Sequence, residues 1–220
     1  MKKHSLKAGA LMAAATIVNL AAGAHAALIV PTAATSSPTG TGYFSASNVI
    51  DGSGLANTAG AVSTWTHNAG NYGGSMWNTP DGTNTGQLTF QLGENFDLTQ
   101  AYIWNGSQGY QAPSLFNRGA KDVNISTSVD GITFTPAQSI AVAAATANPT
   151  STQTFSLTGL AFQNIKAVRF DIVSNHGGNV LNVGEVRFEG NIAVVPEPAS
   201  LVTLLGGLSM LGMLRPRRRG

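Results

Sequence analysis

The chain has 220 residues, 26 of them glycine and none cysteine, with 12 Lys and Arg against 10 Asp and Glu. Without cysteine there is no disulfide framework, so stability has to come from an apolar core or a bound metal. The basic excess sits at the chain ends: between Ala27 and Val195, five basic residues (Arg118, Lys121, Lys166, Arg169, Arg187) face nine acidic ones, a net of −4, and nothing points to a nucleic-acid partner.

In chain order, Lys2, Lys3 and Lys7 open a basic start, "AGALMAAATIVNLAAGA" supplies an apolar centre, and "AHA" (24–26) is a small-residue cleavage site. Together they predict a secretory signal peptide over 1–26. Residues 27–42, "ALIVPTAATSSPTGTG", read as a lead-in of low order. From 43 to 190 the hydrophobic period is two. "QLTFQL" (87–92), "VNISTS" (123–128), "TFSL" (154–157), "VRFDIV" (168–173) and "EVRFEG" (185–190) alternate apolar and polar residues, as half-buried strands do. Asp-Gly pairs at 51–52, 81–82 and 130–131 punctuate them as turns. The prediction is one all-β domain, a sandwich or jelly roll, and roughly 170 residues are ample for one core.

After a linker over 191–198 comes an uncharged segment, Ala199 to Leu214, with Arg215, Arg217, Arg218 and Arg219 behind it. As a helix it would rise about 24 Å against a hydrocarbon core of roughly 30 Å, so it barely spans. The arginines would stay cytoplasmic, which exports everything before them. Pro196-Glu197-Pro198, a short apolar segment and a terminal Arg cluster together resemble the PEP-CTERM sorting signal, with 199–220 as its helix and basic end. The resemblance implies a Gram-negative bacterium, transient association with the inner membrane, cleavage by an exosortase-type enzyme, and release or attachment at the outer surface. The alternative is an ordinary short membrane anchor.

Within the body, "NVIDGS" (48–53) followed by "STW" (63–65), "AYIWNG" (101–106) before "NRGAKDVNISTSVDGITF" (117–134), and the closing "AVRFDIVSNHGGNVLNVGEVRFEG" (167–190) resemble, in that order, a discoidin or coagulation factor 5/8 C-type domain. That family has the galactose-binding-like jelly-roll β-sandwich. One departure is the stretch "SGLANTAGAV" between the Asp-Gly and the Thr-Trp. The resemblance implies a structural calcium ion held by Asp51, Thr64 and Glu185, with Asn48 and Ser53 adding oxygens; calcium takes six to eight oxygen ligands. The alternative reading makes Asp51 an Asx-turn residue and Glu185 a surface charge.

The same family binds ligands in loops at one end of the sandwich. Trp104, Asn105, Tyr110, Arg118, Asn175 and His176 fall in or beside those loops, and Trp77 and Tyr72 are further aromatic candidates. Aromatic faces that stack on a sugar ring, beside planar groups that read hydroxyls, suit carbohydrate. Against this, Trp104 and Trp65 sit at strand ends with β-period neighbours, where a core role is the more natural one, and Arg118 could simply pair with Asp122 or Asp130. Catalysis is not expected. The body has only His67 and His176, no catalytic or phosphate-loop motif occurs, and Asp81, Glu94 and Asp97 form no marked carboxylate pair. The expectation is an exported, non-catalytic module that binds polysaccharide or glycan. The alternative is a passive matrix or surface protein with no specific small ligand.

Overall fold

The computed structural model describes residues 26–40, 42–68, 74–107 and 113–194. The signal peptide, Tyr72, Tyr110, the Pro196-Glu197-Pro198 motif and the segment after it lie outside the described residues. No helix among the described residues is long and apolar enough to cross a membrane.

Among the described residues twelve strands form, all antiparallel where they pair: β1 (Ala27–Ile29), β2 (Ala33–Ser37), β3 (Leu55–Ala56), β4 (Thr66–His67), β5 (Trp77–Asn78), β6 (Gly86–Asn105), β7 (Ala120–Ser128), β8 (Thr135–Ala141), β9 (Thr150–Ser151), β10 (Gln153–Ser156), β11 (Ile165–Asn175) and β12 (Asn182–Ile192). Each of the five sequence segments that alternate lies in a strand: 87–92 in β6, 123–128 in β7, 154–157 largely in β10, 168–173 in β11 and 185–190 in β12.

The long β6 organises the architecture. Its first part lies between β2 and β11, with Phe90 opposite Ala34 and Val168; its second part lies between β10 and β12, with Ile103 opposite Gln153 and Val186. The partners change near Gly93, whose φ of +84° suits glycine and whose Cβ, if present, would lie 2.9 Å from the Thr32 side chain. One strand therefore serves both layers of a β-sandwich. Between the layers Phe90, Phe170 and Phe188 meet edge to face, with centroids 5.2, 5.7 and 6.1 Å apart, in a core that also includes Leu88, Ile103, Ile125, Ile172 and Val186. Aromatic pairs favour this geometry because a positive ring edge meets a negative face.

The lead-in reading of 27–42 needs correction. Residues 27–29 pair with β12 and residues 33–37 with β6, so this stretch supplies two strands. The "SGLANTAGAV" stretch, for its part, is anchored through β3, which pairs with β4, and β4 pairs with β9 in a separate three-stranded sheet.

Candidate functional site

One end of the sandwich collects the end of β6, the start of β7, the end of β11 and the start of β12. Val183 is opposite Asn105 there, and Asn175 is opposite Ala120. Most of the sequence candidates at this end hold the loops in place. Asn105 is fully buried; its Nδ2 donates to the carbonyls of Ala120 and Ala143, both at 2.8 Å, and its Oδ1 accepts from the Gly106 N–H at 2.9 Å. Asn175 does the same for the following turn, donating to Gly178 and Val180 and accepting from the Gly177 N–H. With their amides used up internally, these two asparagines organise the end and offer no free group to a ligand.

The tryptophans are also internal. Trp104 is fully buried, donates from Nε1 to the Trp65 carbonyl at 3.2 Å, and stacks on the Trp65 ring at 6.4 Å. Trp77 is fully buried as well, and Cβ atoms at Gly40 and Gly86 would come within 3.0 and 2.8 Å of its indole. Both assignments as sugar platforms are corrected: a ring with no exposed face cannot stack on a sugar.

Arg118 and His176 differ, each half-buried with surface left to solvent. The His176 N–H donates to the Gly119 carbonyl at 3.3 Å and the Gly178 N–H to the Asn117 carbonyl at 3.0 Å, which fastens the 175–178 turn against the 3-10 turn Pro113–Arg118. A Cβ at Gly178 would lie 2.7 Å from Arg118 Cγ, so the glycine makes room for the arginine stem. His176 Nε2 is 3.0 Å from the Val142 carbonyl, which orients the ring. Asn182 and Ser107, which sequence reasoning missed, lie beneath this end: both are fully buried, and Asn182 Nδ2 and Oδ1 and Ser107 Oγ have no hydrogen-bond partner among the described residues. The available signal was a lone amide in the apolar run "VLNV", a place where buried polarity asks for a reason.

The residues assigned to calcium lie at the junction of the first loop with the last strand. Asp51 Oδ1 accepts from the Ser53 N–H at 2.7 Å, the Asx-turn of the alternative reading. Thr64 is exposed and donates to the Ala61 carbonyl at 2.8 Å. Asn48 donates to the carbonyls of Tyr43 and Met76, Ser53 Oγ donates to the Gly74 carbonyl, and the Ser53 carbonyl faces His67 Nε2 at 3.1 Å. Glu185 is not a surface charge. It is fully buried, its Oε1 lies 2.5 Å from Arg187 Nη2 and accepts from the Gly52 N–H at 3.3 Å. Burial pushes its carboxyl upward, with the Arg187 charge opposing, and burial likewise lowers the guanidinium. Among the described residues no group of three His, Asp or Glu gathers as a metal site. Glu185 Oε1 is taken by a guanidinium, Asp51 and Thr64 serve their own turns, and Asn48 and Ser53 donate to the carbonyls of Tyr43, Met76 and Gly74. That leaves Glu185 Oε2, buried with no hydrogen-bond partner among the described residues, without the further side-chain oxygens that a six- to eight-oxygen calcium shell requires.

The sequence matches no family model and no curated protein. Among solved structures, the F5/8 type C domain of a Bacteroides fragilis protein superposes with a TM-score of 0.50 at 11% identity, over 76% of this chain and 97% of that one. The fold is that of an F5/8 type C domain. The family 32 carbohydrate-binding module of Clostridium perfringens NanJ, in complex with galactose, has a TM-score of 0.48 at 15% identity, over 74% and 99% of the two chains. The family 32 module of AlyQ, in complex with 4,5-unsaturated mannuronic acid, has 0.47 at 17%, over 74% and 97%.

Proposed function

We propose that the protein is an exported, non-catalytic carbohydrate-binding module whose ligand site is the Arg118–His176 end of the sandwich. The observation that carries this reading is the pair of backbone hydrogen bonds that fasten the His176 turn to the Arg118 turn, leaving a guanidinium and an imidazole half-exposed on one surface. A guanidinium fork and an imidazole are suited to reading ring hydroxyls. The sequence offers Tyr110, outside the described residues, as the stacking face.

The strand directions support an adhesive role. β12 runs from Val183, opposite Asn105 at the site end, to Ile192, opposite Phe96 at the far end; Ala27 pairs with Gly190 there. Both ends of the described chain therefore leave the sandwich away from the site. An attachment through the signal-like segment after Val194 would present Arg118 and His176 outward. In this reading the Pro196-Glu197-Pro198 tail directs the protein to the outer surface or the polysaccharide matrix through an exosortase-type enzyme.

The test is native affinity electrophoresis of the protein through gels that contain polysaccharides, beginning with galactose-rich ones. Retardation is expected, and Arg118→Ala or His176→Ala should weaken it roughly five- to hundredfold, since hydrogen bonds to charged or polar groups in a site contribute about 1–3 kcal/mol. Unchanged mobility of the folded protein in every gel would leave the passive matrix component as the better reading.

A further inference from the structure

The calcium junction contains a cation of its own. Arg187 Nη2 meets Glu185 Oε1 at 2.5 Å, and Nη1 donates to the Ile50 carbonyl at 2.6 Å and to the Val186 carbonyl at 3.4 Å. Glu185 Oε1 also accepts from the Gly52 N–H, so the ion pair is tied to the first loop at both Ile50 and Gly52, across 137 and 133 residues of chain. The side chains of Glu185 and Arg187 are 0% and 5% exposed. The loop is shaped for this contact: Gly52 has φ +78°, and a Cβ there would sit 3.4 Å from Nη2. The negative Asp51 next to Gly52 acts favourably on the guanidinium as well.

We propose that the Arg187 guanidinium is the built-in cation of this junction, clamping the first loop to the last strand where the resemblance implied a metal ion, so that the fold closes without calcium. The chemistry matches what a metal would do there. Both are positive centres that gather a carboxylate and a loop carbonyl, but the guanidinium is planar, presents its donors in a fixed fork, and comes with the chain. A divalent ion placed against the same Glu185 oxygen would meet that charge in a buried, weakly screened setting. The clamp also answers the lack of disulfides, since it joins segments distant in sequence.

Thermal melting of the protein in excess calcium and in chelator is the first measurement, with calcium binding followed by titration calorimetry. The expected result is the same midpoint in both and no binding heat. A midpoint raised by roughly 5–10 °C in calcium, as for a ligand at a hundred times its dissociation constant, would overturn the proposal. The second measurement is a cycle of Arg187→Met, Glu185→Met and the double variant, with Arg187→Lys beside them. Each single variant leaves one buried charge unpaired and should melt well below the double variant, and Arg187→Lys should fall between wild type and Arg187→Met. Singles that melt no lower than the double would show that the two charges do not act as a pair and would sink the clamp. If a single variant fails to fold, the double variant and the calcium titration of the wild type still decide.

Discussion

Truncation of Phe188 to alanine lowers the free energy of unfolding by about 4 kcal/mol, the range for deleting a large ring from a packed core. Phe188 is fully buried, and its ring is the contribution of the second layer to the edge-to-face trio with Phe90 and Phe170. The cost should lie at the high end because the site cannot collapse. Phe188 pairs with Ala101 on β6 and with Ile29 on β1, so its strand is held by backbone hydrogen bonding on both sides while Phe90 and Phe170 face the void from the other layer. Urea denaturation of the variant beside Tyr43→Ala, whose side chain is 82% exposed, is the check. The surface change should shift the midpoint little; a loss at Phe188 below about 1.5 kcal/mol would mean that the layers repack and that the trio does not define their spacing.

The second large effect is the response to acid. His67 is fully buried beside Ser53, and Cβ atoms at Gly54 and Gly184 would come within 2.8 and 2.7 Å of its two ring nitrogens, so the imidazole fills a slot between glycine backbones. Burial lowers its pKa from 6.5 to about 4, opposed by backbone hydrogen bonds, including one to Ser53, and by the charge of Asp51. In the unfolded chain the ring binds its proton near 6.5, so between pH 6.5 and 4 the unfolded state holds more protons and stability falls as pH falls. The full contribution is about 3 kcal/mol, at 1.36 kcal/mol per pKa unit. Glu185, raised by burial, works in the opposite sense above the ordinary carboxylate range, so the His67 part is read as the difference between wild type and His67→Gln in denaturation curves at pH 7 and pH 4. An NMR titration of the imidazole should place its midpoint near 4. A midpoint near 6.5 would show that the ring is reached by water, and the acid response would then belong to other groups.

Particular elements show how far the sequence reaches. Alternation located the central strands because a sheet with one buried face imposes a period of two on its residues. It missed β1, three consecutive apolar residues, and β2, whose Ala, Thr and Ser residues show no such contrast; the partners of both, β12 and β6, are distant in sequence. The Asp-Gly turns were legible because Gly52, Gly82 and Gly131 all take positive φ, between +78° and +82°. Among the site candidates, residue type by itself did not separate ligand from core, although the strand-end position of Trp104 favoured the core. Trp104, Asn105, Asn175 and Trp77 have the chemistry a sugar site needs, but the first three bond the fold's own backbone and Trp77 is packed into the core.

The last strand marks the division most clearly. "EVRFEG" announced a strand with apolar and polar faces; the strand is present, but it is buried on both faces from Asn182 to Phe188. On the polar face, Glu185 was expected to hold a metal ion, with a surface charge as the alternative. Instead the Ile50–Gly52 loop, more than 130 residues earlier, closes over Glu185 and Arg187, and the two become a buried ion pair. Local pattern determined that these side chains share a face, because successive Cβ atoms on a strand point to opposite sides. Whether that face met solvent, a metal ion or another segment depended on which distant loop came to rest on it, and that was decided by tertiary packing alone.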